Sequence, residues 1–138
     1  MELPSVNSEA KDPLGHIKLA VGEFAKSSGF YKGLFEQLGY KQISDKESSA
    51  GWVSSAGLGI WVAQAEVSDY PYRHSAPGLH HLCLKAESPE QVDNIHDFLV
   101  EEDSHIFSPP RHYPEYTNIY YAVFFADPDG IKLEVAYY

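Results

Sequence analysis

Two histidines and one glutamate, His16, His81 and Glu134, carry the chemistry that this 138-residue chain offers. Neutral imidazole suits divalent zinc, iron, nickel or manganese, and a carboxylate adds charge. Three such donors leave two or three positions open for water or substrate, which is the form of a catalytic metal site. Glu134 is the most informative of the three. It lies in Ile131-Lys132-Leu133-Glu134-Val135, directly after Asp127-Pro128-Asp129-Gly130. Asp first, Pro second and Gly fourth suit a type I turn, so the apolar runs on either side should fold back as a hairpin. Alternation then places Ile131, Leu133 and Val135 on one face, and Lys132, Glu134 and Ala136 on the other. A carboxylate at mid-strand needs a partner, and a metal ion is the obvious candidate.

The elements that must position these residues come as a repeat. Gly15-His16-Ile17-Lys18-Leu19-Ala20-Val21 matches His80-His81-Leu82-Cys83-Leu84-Lys85-Ala86 at an offset of 65, with His16 over His81. Both runs alternate as strands do. The offset continues into helical periodicity, with Phe30, Tyr31, Leu34 and Phe35 over Ile95, His96, Leu99 and Val100. Gly39 suits the end of the first helix, and Ser88-Pro89 suits the start of the second. Gly59 to Ala63 matches Gly130 to Glu134 at an offset of 71, setting Ala63 against Glu134.

The first half reads as a strand at 15–21, a helix at 24–38 and strands near 39–46, 50–55 and 59–66. The second half reads as a strand at 79–86, a helix at 89–102 and strands near 104–112, 119–126 and 131–138. Each half is thus βαβββ, and neither buries a sheet face alone. The expected fold is α+β, two βαβββ modules with mixed sheets forming a partly open barrel-like cleft. The boundaries are a flexible arm over 1–13 and one domain over 14–138, made of a module at 14–66, a linker at 67–78 and a module at 79–138.

Bulk composition narrows the partners. A net charge of -10 disfavours nucleic acids and anionic membranes, because both select basic patches. A small-molecule substrate fits better. The single Cys83 cannot close an internal disulfide, and the first residues lack a basic and apolar leader, so the expected location is cytoplasmic.

The opening strands GHIKLAV and HHLCLKA, the helix FYKGLF and the closing FFADPDGIKLEV together resemble the vicinal-oxygen-chelate superfamily. That superfamily includes glyoxalases, bleomycin-resistance proteins, fosfomycin-resistance enzymes and extradiol dioxygenases, and the likeness spans roughly residues 14–138. The resemblance implies metal ligands at His16, His81 and Glu134, with Glu134 also catalytic. It implies a homodimer and a divalent-metal enzyme, a lyase, isomerase or dioxygenase, acting on a small oxygen-chelating substrate. The alternative it implies is an antibiotic-binding protein without turnover. Four-ligand glyoxalases carry a further carboxylate on the last strand of the first half, where the offset of 71 puts Ala63, so a typical four-ligand enzyme is not expected.

Other residues rank below this trio. Trp61, Arg111, Tyr113 and Tyr121 are candidates for a substrate pocket, with Pro109 to Tyr116 as a proline-stiffened aromatic loop. His80 has the opposite pleat parity to His81, and the match to His16 favours His81. Cys83 reads as a small buried hydrophobe. His74, His96 and His105 read as surface residues.

Overall fold

The computed structural model describes residues 12–138. The arm expected over 1–13 therefore lies outside the described residues but for its last two. The chain divides into two compact units, one ending at Tyr70 and one spanning Pro71–Tyr138.

The first unit runs β1 (His16–Val21), α1 (Phe24–Gln37), β2 (Lys41–Asp45), β3 (Ser49–Val53) and β4 (Gly59–Gln64). Its sheet order is β1-β4-β3-β2, with β1 and β4 parallel and the other pairs antiparallel. The buried residues of α1 recur at helical spacing, with Phe35 5.0 Å from the Trp52 ring of β3. Gly39 ends the helix at φ 78, its N–H donating to Glu36 and that of Tyr40 to Phe35. This pair of bonds is a Schellman motif, and its left-handed residue is the position at which glycine avoids a Cβ penalty.

The second unit repeats the plan with β5 (Leu82–Lys85), α2 (Pro89–Glu101), β6 (Ile106–His112), β7 (Tyr121–Ala126) and β8 (Lys132–Tyr137), in the order β5-β8-β7-β6. Ser88 caps α2 by accepting from the Gln91 N–H at 3.1 Å, with Pro89 in the first turn. The helix closes on Asp103 at φ 54, with the same two bonds as at Gly39. Leu84, Val92, Ile95, Leu99, Val123, Phe125, Leu133 and Val135 are buried and form the core of this unit.

Two local readings change. The strand expected from residue 79 begins at Leu82, because the Tyr72 hydroxyl reaches the carbonyls of Leu79 and His80 at 2.7 and 3.0 Å. A side chain of the linker thus takes acceptors that a longer strand would have offered to its neighbour. Pro109 and Pro110 lie within β6 rather than in a loop, where the pairing with β7 shifts on both sides of Ser108. Proline has no N–H to donate, and β6 is one of the two edge strands of its sheet, so the irregular pairing loses little.

The internal repeat also has a different register at its end. Gly57 has φ 92 and Gly130 φ 87, and each turn carries the same three bonds. Ser54 and Asp127 each accept at the carbonyl from that glycine's N–H and donate their own N–H to the carbonyls of Leu58 and Ile131. Each also accepts the following amide on a side-chain oxygen, at 3.0 Å from Leu58 and 2.8 Å from Ile131. Matching the two turns gives an offset of 73. The counterpart of Glu134 is therefore Trp61, not Ala63. Pairing agrees, since Lys18 lies beside Trp61 as Cys83 lies beside Glu134. The offset of 71 failed because it matched Gly59, which is a strand residue, to a turn glycine.

Candidate functional site

Glu134 occupies the middle of β8, flanked by Cys83 of β5 and Phe124 of β7. It is 2% exposed, on the face opposite Leu133 and Val135 as alternation requires. That face is not polar. Tyr113, Ala122 and Ala136 form a buried cluster there, joined by Cys83, Tyr120 and Phe124. An ionised carboxylate in such surroundings persists only when it is hydrogen-bonded. His81 Nε2 lies 3.1 Å from Oε1, and the Tyr120 hydroxyl donates to Oε2 at 2.5 Å. Both oxygens are therefore engaged.

One arrangement of protons satisfies all of these contacts. A carboxylate only accepts, so when Glu134 is in that form His81 Nε2 carries the hydrogen that faces it. In a neutral ring Nδ1 is then an acceptor, so His80 Nδ1, 2.8 Å away, donates to it and keeps a lone pair on its own Nε2. Desolvation and the neighbouring Lys132, His81 and His74 charges lower the His80 pKa and favour the neutral ring. Burial, followed by the bond to Glu134, holds the Tyr120 phenol protonated far above the ordinary tyrosine range. Tyr120 is a donor here and not a base. Burial, and then the Glu134 charge, push the Cys83 thiol up to about 12.

These groups open onto a cavity of about 460 Å³ within the second unit. Its polar wall is His80, His81, Lys132 and Glu134, and the rings of Phe107, Tyr116, Tyr120 and Phe124 supply the rest together with Ser108. The size falls within the usual range for small-molecule sites.

Of the residues expected from sequence, His81 and Glu134 are brought together and both line the cavity. His16 begins β1 of the first unit, where Trp61 stands in β4 over Gly51. Arg111, Tyr113 and Tyr121 lie outside the cavity lining. Arg111 stacks 3.7 Å over the Tyr113 ring and pairs with Glu115, Tyr113 is buried against Ser108, and Tyr121 donates to Asp93 of α2. His74 is not an isolated surface residue, for its ring meets His80 at 5.3 Å and Phe107 at 6.0 Å. Sequence reasoning missed Tyr120, Phe124 and Lys132, although the signal was present. The hairpin register sets Phe124 opposite Glu134, and alternation carries that face to Tyr120 on one strand and to Lys132 on the other.

The donor set fits a metal ion in part. Two ligands each ~2.1 Å from one ion stand ~3.0–3.4 Å apart, so the spacing of His81 Nε2 and Glu134 Oε1 suits neighbouring ligands. Among the described residues, no group of three or more His, Cys, Asp or Glu side chains is gathered to hold a metal.

The family model of the glyoxalase/bleomycin resistance protein/dioxygenase superfamily matches residues 13–135, and the chain belongs to that superfamily. The uncharacterized Bacillus subtilis protein YqjT is 32% identical over 121 residues, covering 87% of this chain and 94% of its own. A crystal structure from Bacillus halodurans superposes with a TM-score of 0.79 at 24% identity, covering 96% of this chain and all of that one. A glyoxalase/bleomycin resistance protein from Albidiferax ferrireducens T118 gives 0.74 at 21%, covering 92% and 99%. Superfamily members bind small molecules, commonly use divalent metals and often form dimers. No helix among the described residues is long and apolar enough to cross a membrane.

Proposed function

We propose that the protein is a divalent-metal-dependent enzyme that acts on a small substrate chelating through two oxygens. His81 and Glu134 are its ligands in the second module, and His16 is the ligand assigned to the first. The reading is carried by one observation: His81 Nε2 faces Glu134 Oε1 at 3.1 Å on the wall of a cavity large enough for a small molecule. When bound, a divalent ion supplies Lewis acidity to the substrate oxygens and stabilises negative charge developing on them.

The chain's own groups prepare that chemistry. Ligation through His81 Nε2 requires its lone pair there, which moves the ring proton to Nδ1. His81 Nδ1–H then donates to His80 Nδ1, and the His80 proton shifts to Nε2. An outer imidazole that fixes the tautomer of a ligating histidine also raises its basicity. Tyr120 keeps one oxygen of Glu134 occupied and turns the other toward His81.

The test is metal analysis of protein purified without chelator or added metal, alongside His81→Ala, Glu134→Ala and His16→Ala. The expected result is one divalent ion per chain, lost almost completely in the first two variants with unchanged circular dichroism. Loss in His16→Ala as well adds the first module's ligand. Undiminished occupancy in His81→Ala and Glu134→Ala overturns the assignment. A second reading, capture of an aromatic drug or metabolite without turnover, is favoured by the four aromatic rings lining the cavity. Metal-free protein that still binds such a ligand selects it.

A further inference from the structure

Lys132 begins β8 two residues before Glu134 and shares its face, so its ammonium lines the same cavity. The Nζ lies 5.5 Å from the ring centres of both Phe107 and Phe124. Among the described residues it makes no ion pair, in a chain that carries 20 acidic side chains against 10 basic ones. The one acid in the lining, Glu134, is already bonded through both oxygens. Arg111 lies outside the lining, paired with Glu115 and stacked on Tyr113, and among the described residues Lys132 is the lining's only lysine or arginine. A cation held between two rings without a carboxylate of its own is a receptor for an anion, and those rings favour a flat partner.

We infer that the cavity takes a planar aromatic or conjugated anion, its charged group seated at Lys132 and its body against Phe107 and Phe124. This rests on the cavity being the substrate site and deepens that reading by naming the class of molecule. An acid whose ring lies on those two walls directs its far edge toward His81 and Glu134, where an oxygen-bearing group would meet the reactive pair.

The experiment uses full-length protein stripped with EDTA and desalted, with benzoate as probe and benzyl alcohol as its uncharged analogue, both titrated by calorimetry. Benzoate should bind at least tenfold more tightly than benzyl alcohol. Lys132→Met should abolish that preference, Lys132→Arg should retain it, and Lys18→Met should leave it intact. Cyclohexanecarboxylate should bind more weakly than benzoate, since it keeps the charge and loses the flat ring. Equal binding of benzoate and benzyl alcohol, no binding of either, or a preference that survives Lys132→Met overturns the inference. Metal content of the same preparations before stripping separates the two readings. Bound metal without benzoate recognition sinks only the ligand class, and benzoate recognition without bound metal sinks only the metal assignment.

Discussion

The Tyr120 hydroxyl donates to Oε2 of a glutamate that is almost wholly buried, Glu134. Removing that donor leaves a charged oxygen in an apolar cluster, where only the weakly donating Cys83 thiol stands by to replace it. Tyr120→Phe should therefore destabilise the protein by about 1–3 kcal/mol in urea denaturation. Glu134→Gln should lose less when combined with Tyr120→Phe than the sum of the two single effects, because the pair acts as one unit. Additive losses would show that the bond contributes no coupling.

Cys83 tests the same cluster by its reactivity. Only the thiolate attacks iodoacetamide, and a thiol pushed from 9.0 to about 12 holds on the order of a thousandfold less thiolate near neutral pH. Alkylation of the native protein at about pH 8 should be far slower than that of the unfolded chain. Glu134→Gln, which removes the second cause of the shift, should speed it. Native protein that reacts as fast as unfolded protein would put the thiol outside the buried cluster.

Much of this was legible in the sequence for a physical reason: strand alternation, helix periodicity and turn chemistry are local. The hairpin at Asp127 to Gly130, the Ser88 cap, the Gly39 terminus and the pairing of His81 with Glu134 follow from such signals. Failures arose where a contact between elements decided the outcome. The start of β5 depends on a tyrosine hydroxyl from the linker, and Tyr121 turned to Asp93 of α2 rather than to the cavity. The match of Ala63 to Glu134 failed differently. Gly59 and Gly130 are the same residue type with different backbone roles, and it is Gly57, not Gly59, that takes the positive φ in the matching turn.

Tyr121 gives a prediction at alkaline pH. Its bond to Asp93, and then burial, raise the phenol from 10.0 to about 12. A group whose pKa is raised by folding stabilises the native state fully below its unfolded value and loses that contribution as pH climbs through the folded one. The wild-type urea midpoint should thus decline between about pH 10 and about pH 12 more steeply than that of Tyr121→Phe, with the two differing least at the top of the range. Parallel declines would remove Tyr121 as the linked group.

Gly51 and Trp61 test the register assigned to the repeat. They pair across β3 and β4, and a Cβ built on Gly51 would fall 2.6 Å from Cε3 and Cζ3 of the Trp61 indole. The ring is rigid and only 5% exposed, so it cannot swing aside as a flexible chain end would. Gly51→Ala should cost about 1–3 kcal/mol through overpacking, read as a lowered urea midpoint. In a Trp61→Leu background the same substitution should cost little, because the narrower side chain leaves room for one methyl group. Trp61 holds the position that Glu134 holds in the other module, so an equal cost in both backgrounds would mean that β4 is not in the assigned register.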